Sequence, residues 1–288
     1  MTLRDIPGVL SIEGLAGQSL PLVLDSPHSG TDYPEDFTTS APMHLLRLAE
    51  DTHVHRLFGD APELGAVLLH AHFPRAYVDA NRAEDDMDPA RIAGPAPWPL
   101  NPGPKSLAGV GLIWTRVPPE GGPMYEAPLR AEVLRHRVTR YHRPYHRTLD
   151  ALLDATHARW GRAWHVNCHS MPNLPSAMTR SETDRGPRAD FVLGDRDGTT
   201  CAPEFTESVR GFLAGRGYSV KVNDPYKGVE LVRRHGRPSE GRHSLQVEVN
   251  RRIYMDDDTR APNPQFDTTR ATLRALTGHV ARFIQDHA

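Results

Sequence analysis

Short apolar runs, too brief for helices and separated by segments of helical spacing, constrain this chain's fold more than any other feature. Ser19–Ser26 (SLPLVLDS) reads as a buried strand that runs into the turn Pro27-His28-Ser29-Gly30. Ala66–His70 (AVLLH), Ala76–Asp79 (AYVD), Ala163–Cys168 (AWHVNC), Ala189–Leu193 (ADFVL), Tyr218–Val222 and Leu245–Val249 (LQVEV) read as further strands. Leu45, Leu48, Val54, Leu57 and Phe58 recur at helical spacing and predict one helix over Met43–Phe58. Pro128–Trp160 reads as a long helix kinked at Pro144, and Ala202–Leu213 and Thr268–Gln285 as two more. Strands alternating with helices predict an α/β fold, a three-layer sandwich around a mixed, largely parallel sheet.

Composition narrows the function classes. With 38% hydrophobic and 24% charged residues over 288 positions, the chain can bury a sizeable core without covalent staples. Its 34 basic and 36 acidic residues leave a net charge of −2, which excludes a broad electrostatic footprint for nucleic acid. No window approaches the ~20 apolar residues of a membrane span. The first residues, MTLRDIPGVLSIEG, lack the basic start and apolar run of a signal peptide. Cys168 and Cys201 make no disulfide framework, so a reducing cytoplasm is the expected compartment. Proline is frequent, 26 residues, and Asp85–Gly122 is a Pro/Gly-rich stretch with little periodicity. A connection of that length is usually a functional loop or lid.

In open α/β sheets, ligands bind beyond the strand ends. Four chemically loaded groups fall there: His28 after the first strand, Glu50-Asp51-Thr52-His53 on the first helix, Asn167-Cys168-His169-Ser170, and Glu248 within LQVEVN. A catalytic metal typically takes three protein ligands and leaves a position for water. His28, Asp51 and His169 offer two nitrogens and one oxygen; the plainer reading makes both histidines ordinary strand-end residues. Cys168, next to His169, points to the opposite face and into the core. Glu248 is a carboxylate in an apolar strand: a general base raised by burial, the partner of Arg251 or Arg252, or an exposed residue on an edge strand. In FPRAYVDANR, Arg75, Asn81 and Arg82 suit recognition of a substrate carboxylate, against a structural Arg82–Asp79 pair. Tyr226, Lys227 and Gly228 either line an anion pocket or form a solvated loop.

Taken together and in order, SPHSG, Asp51-Thr52-His53, RAYVDANR, RPYH, NCHS, DFVLGDRDGTTC, YKG…RHGRP and HSLQVEVNRRIYM resemble the N-formylglutamate amidohydrolase family, from about residue 20 to 256. The resemblance implies one catalytic domain over residues 1–288 with a long loop at about 85–122. It implies a zinc-carboxypeptidase-like fold, similar also to aspartoacylase. It further implies hydrolysis of N-formyl-L-glutamate to formate and L-glutamate, in histidine degradation, with zinc or another divalent metal. The alternative is a zinc-dependent deacylase or peptidase for another N-acyl amino acid. The partner is a small-molecule substrate, with no nucleic acid and no membrane.

Carried over by position, His28, Asp51 and His169 become the metal ligands. Aspartoacylase places its carboxylate ligand three residues after the first histidine, where this chain has Thr31; Asp51 is taken instead, with Glu50 and Asp32 as rivals. Glu248 falls at the general-base position, and Asn81-Arg82 resembles the pair that holds a substrate carboxylate. Arg75, Tyr226 and Gly228 complete the expected substrate site. Where the family often has two glycines after the lysine, this chain has Gly228-Val229.

Overall fold

Leu22 and Leu24 point into one hydrophobic cluster and Val23 into another, so the strand that carries them is covered on both faces. The structure, a computed structural model, describes residues 3–178, 184 and 186–287. Seven strands form one mixed sheet: β1 (Leu10–Glu13), β2 (Leu22–Ser26), β3 (Val67–Ala71), β4 (Ala163–Met171), β5 (Phe191–Gly194), β6 (Val220–Val222) and β7 (Arg242–Asn250). Their spatial order is β1-β3-β2-β4-β7-β5-β6. The four inner strands β3, β2, β4 and β7 are parallel; β1 and β5 run against their neighbours β3 and β7.

The helices are α1 (Met43–Arg47), α2 (Val54–Leu57), α3 (Pro104–Leu107), α4 (Ala131–Arg137), α5 (Arg143–Trp160), α6 (Pro203–Ala214), α7 (Glu230–His235) and α8 (Phe266–Asp286). One face of the sheet packs on α2, α6 and α8 through Leu57, Phe205, Val209, Leu273, Leu276 and Val280. The other packs on α4, α5 and α7 through Leu134, Tyr145, Leu149, Leu152 and Leu231. These are the three layers expected from the sequence. All nine residues of β4 are buried, as a central strand covered on both faces must be. Cys168 packs in the core as expected. Among the described residues, no helix is long and apolar enough to cross a membrane.

The helix expected over 128–160 starts at Ala131, and in place of the kink expected at Pro144 it passes through a π-turn over Val138–His142. Pro144 lies just after it, in the first turn of α5. α5 closes at Gly161, whose φ of 71° suits a left-handed C-cap.

Two further expectations fail. Met43–Phe58 is two short helices, and Glu50–His53 lies in the break between them rather than on a helix. Side chains compete for the groups a helix would use: Arg251 donates to the Leu48 and Glu50 carbonyls at 3.0 and 2.7 Å, and Arg260 to Glu50 O at 2.7 Å. The Asp51 N–H turns to the His28 carbonyl at 3.0 Å. Ala76–Asp79 is a turn rather than a strand. There the Asp79 carboxylate accepts the Asn81 N–H at 2.9 Å, a local bond that competes with extended pairing. The stretch at 85–122 is a long irregular connection that holds α3, a 3-10 turn at Pro89–Arg91 and three short pieces of strand.

Candidate active site

Parallel β2, β4 and β7 bring their carboxyl ends to one edge of the sheet, and the candidate residues gather there. His28 follows β2, His169 lies near the end of β4, and Glu248 sits on β7 in direct register with His169. Paired residues on neighbouring strands share a face. Asp51 enters from the break between α1 and α2.

One nitrogen of each histidine and one Asp51 oxygen lie within 4.8 Å of one another, all buried, and could hold a metal ion. Asp51 Oδ2 is 2.9 Å from His169 Nδ1 and 3.4 Å from His28 Nδ1. His28 Nε2 is committed to Asp79 Oδ1 at 2.6 Å, and its buried Nδ1 has no hydrogen-bond partner. An imidazole nitrogen with no hydrogen-bond partner, facing a carboxylate and a second imidazole, is a donor set that suits a divalent cation, so these residues fit a metal. His169 Nε2 meets an acceptor, Asn167 Oδ1 at 2.8 Å, and a donor, Asn81 Nδ2 at 3.0 Å. Either tautomer is therefore satisfied, and one of them turns the Nδ1 lone pair toward Asp51. Burial pushes the Asp51 carboxyl up, but the hydrogen bond from His169 and the nearby His28 imidazole outweigh it and hold its pKa well below the usual carboxylate range.

The two rivals for the carboxylate lie elsewhere. Glu50 accepts from Tyr33 Oη at 2.7 Å and Thr52 Oγ1 at 3.0 Å, and Asp32 is exposed. Neither joins the cluster.

Glu248 is 7% exposed and, among the described residues, accepts one bond, from Gln246 Nε2 at 3.0 Å. Burial first, and then the Asp51 charge, push its pKa well above the ordinary value; Arg75, Arg251 and Arg188 pull the other way. The expected alternatives do not hold, since Arg251 binds Asp51 and Ser170, Arg252 binds Asp190, and β7 is an inner strand.

The arginines divide into held and free. Arg75 spends Nε and one terminal nitrogen on Asp79 Oδ2 at 3.2 and 2.8 Å. Arg82 is closer to free: its Nε is buried and unpartnered, and Asp79 Oδ2 is 3.9 Å away. The Asp79 carboxylate is bonded by His28, Arg75, the Asn81 N–H and Trp114 Nε1, and a simple Arg82–Asp79 pair does not describe it. Asn81 is occupied within the protein, since its Oδ1 also accepts the Leu231 N–H at 2.9 Å. Tyr226 lies under the Arg188 guanidinium, 5.1 Å from ring centre to Cζ, with its hydroxyl pushed up to about 12 by burial first. Gly228 adopts a φ of +89° and packs against Gly194, whose absent side chain leaves room for the Lys227 carbonyl carbon.

Several participants escaped the sequence reading. Asp79, taken there as a plain ion-pair partner, anchors His28. Asp25 accepts from Asn167 at 2.7 Å, His165 at 2.8 Å and Tyr145 at 2.8 Å, which fixes the Asn167 amide against His169. Arg188 is held by Asp184 from a loop with no periodic signal. Arg137, His142 and His146 donate to the carbonyls of Tyr77, Arg82 and Ala80 at 3.0, 2.8 and 2.8 Å and clamp the segment that carries Asp79, Asn81 and Arg82.

Residues 20–255 match the N-formylglutamate amidohydrolase family. An N-formylglutamate deformylase of Pseudomonas aeruginosa is 31% identical over 267 residues, 89% of this chain and 91% of that one. One from Pseudomonas putida is 30% identical over 244 residues, 83% of each chain. The crystal structure of N-formylglutamate amidohydrolase from Ralstonia eutropha JMP134 has 44% identity and a TM-score of 0.91, covering 98% of this chain and 100% of that one. An Agrobacterium tumefaciens gene product, 17% identical with a TM-score of 0.67 and covering 96% of both chains, shares the fold. By the extent of these matches, the chain belongs to the N-formylglutamate amidohydrolase family.

Proposed function

We propose that this protein hydrolyses the formyl amide of N-formyl-L-glutamate to formate and L-glutamate, with zinc or another divalent cation held by His28, Asp51 and His169. The observation that carries the reading is the orphaned His28 Nδ1 beside Asp51 and His169, with Glu248 in register on the adjoining strand. Deformylase is also the name borne by the Pseudomonas relatives. A divalent cation at such a site acidifies water, polarises a carbonyl oxygen and offsets the Asp51 charge that raises Glu248.

The chain's own groups do the rest. Glu248 takes the proton from the attacking water and returns it to the departing amine nitrogen. Arg75, held by Asp79 through two of its nitrogens, turns its remaining terminal nitrogen to the charge that gathers on the formyl oxygen. Arg82, without a close partner of its own, holds a carboxylate of the glutamate portion and so positions the scissile amide. Tyr226 and Gly228 shape the wall beside Glu248.

The test is formate release from N-formyl-L-glutamate by purified protein, with metal content measured on the same sample. Activity that a chelator abolishes and added zinc restores supports the reading; full activity in metal-free protein overturns the metal assignment, and no formate from metal-loaded protein overturns the substrate.

A further inference from the structure

Only three of this chain's 34 basic residues are lysines. Lys221 and Lys227 are paired, with Asp224 at 2.7 Å and Asp197 at 2.9 Å. The Lys105 ammonium has no hydrogen bond or ion pair to any described residue, although the backbone carbonyl accepts the Val110 N–H at 2.9 Å. It sits on α3, within the long connection at 85–122, and that connection is not loose. Asp86, four residues after Arg82, accepts the Gly103 N–H at 2.8 Å and Ser106 Oγ at 2.6 Å, on either side of Lys105. The Leu112 N–H bonds Asp86 O at 2.8 Å, the Asn101 N–H bonds Asp85 O at 2.8 Å, and Leu112 O accepts the Asp79 N–H at 2.7 Å. Gly111 passes so close that a side chain there would meet Asp86 O at 2.6 Å. The turn that carries Asp79 and Arg82 and the helix that carries Lys105 are thus stitched into one unit.

The charges that surround the Lys105 ammonium belong to the site: Arg82, Arg75 and Arg188, with Asp184 as the opposing group. Crowding by protein and then by these guanidiniums holds the lysine pKa below its ordinary value, although the residue keeps access to solvent. Asp79 is engaged by Arg75 and His28, and Asp184 by Arg188. Of the four cations Arg75, Arg82, Arg188 and Lys105, the two without a close partner among the described residues are Arg82 and Lys105, one from each half of the stitched unit. N-formylation removes the amine charge of glutamate, so the substrate is a dianion with two separate carboxylates. Two uncommitted cations match it.

Building on the function proposed above, we propose that Lys105 determines the preference for an acidic side chain, its ammonium taking the second carboxylate while Arg82 takes the other. A point charge with three rotatable donors suits the mobile end of a substrate, whereas the planar fork of arginine suits the end that must be fixed.

The experiment compares kcat/KM for N-formylglutamate and N-formylglutamine, which differ by that one carboxylate, in the metal-loaded wild type, Lys105→Met and Lys105→Arg. The wild type favours the acid. Lys105→Met lowers kcat/KM on the acid by about 10–100-fold, chiefly through KM, and changes the amide far less, so the preference collapses. Lys105→Arg retains most of the preference. An unchanged acid-to-amide ratio in Lys105→Met, or an equal loss in both variants, overturns the assignment and leaves the deformylase reading intact. A wild type that releases formate from neither compound overturns both.

Discussion

His28 stands between two carboxylates, with Asp79 Oδ1 2.6 Å from Nε2 and Asp51 Oδ2 3.4 Å from Nδ1. The first contact fixes the proton on the far nitrogen and leaves the near one as a base. Asp79 also binds Arg75 and the Asn81 N–H, so a single side chain couples the metal ligand to the substrate-facing turn. Burial pushes its carboxyl up, and Arg75 and His28 more than offset that, holding its pKa well below the usual range.

Asp79→Asn is therefore expected to weaken metal binding by about 10–100-fold, the usual cost of losing a carboxylate behind a ligating histidine. Competition with a metal-indicating chelator measures it. Wild-type affinity in the variant would show that His28 is not a ligand.

Glu248→Gln keeps shape and cannot accept a proton. Its expected effect is a fall in kcat of ~10²–10⁴-fold with metal content intact and KM little changed. Measuring kcat, bound metal and Tm on one preparation separates this from a folding role, in which Tm falls and activity per folded molecule survives. His146, a conceivable substitute base, is already bound to Ala80 O at 2.8 Å and is held well below its usual pKa by burial.

Arg82→Lys retains charge but loses the fork. A fall in kcat/KM of about 10²-fold is expected, from the ~1.5–3 kcal/mol of a charge-assisted bond. Near-normal kinetics would assign Arg82 to structure alone.

The far edge of the sheet supplies a pH test that is independent of catalysis. His55 stacks on His70 at 5.0 Å, and burial, followed by the His70 charge, lowers its pKa to about 4. The unfolded chain takes this proton first, near the ordinary 6.5. The contribution is thus fully present above about pH 6.5 and is lost as pH falls toward 4. Acidification from pH 7 to 5 should cost about 1–2 kcal/mol through this group. His55→Gln should show a correspondingly shallower loss of stability in chemical denaturation; an identical slope refutes the assignment.

The layers, the long helices and the three candidate ligands were legible because periodicity and strand-end position are local properties. What stayed hidden is non-local. Nothing near residue 50 announces that Arg251 and Arg260, some two hundred positions away, will take the carbonyls a helix needs. The spacing of Leu45, Leu48 and Val54 is truly helical, yet the segment breaks to deliver Asp51. AYVD has the composition of a strand, but Asp79 is bound from too many sides to pair in a ladder. Asp25 carries no signal of its own in the sequence, and only its convergence with Asn167 behind His169 gives it a purpose. Lys105 lies in a stretch with no period at all.

The π-turn at Val138–His142 is, in effect, an α-helix with one residue too many. It sets Arg137, His142 and His146 at spacings of five and four, and all three donate to the segment from Tyr77 to Arg82. Excising one residue between Arg137 and His142 leaves an ordinary α-helix in which the two stand four apart, still on one face. The extra residue therefore sets how far Arg137 lies from the two imidazoles along the helix rather than the direction in which it points. In this stretch the grip tolerates a change of length as long as the three donors keep their common face.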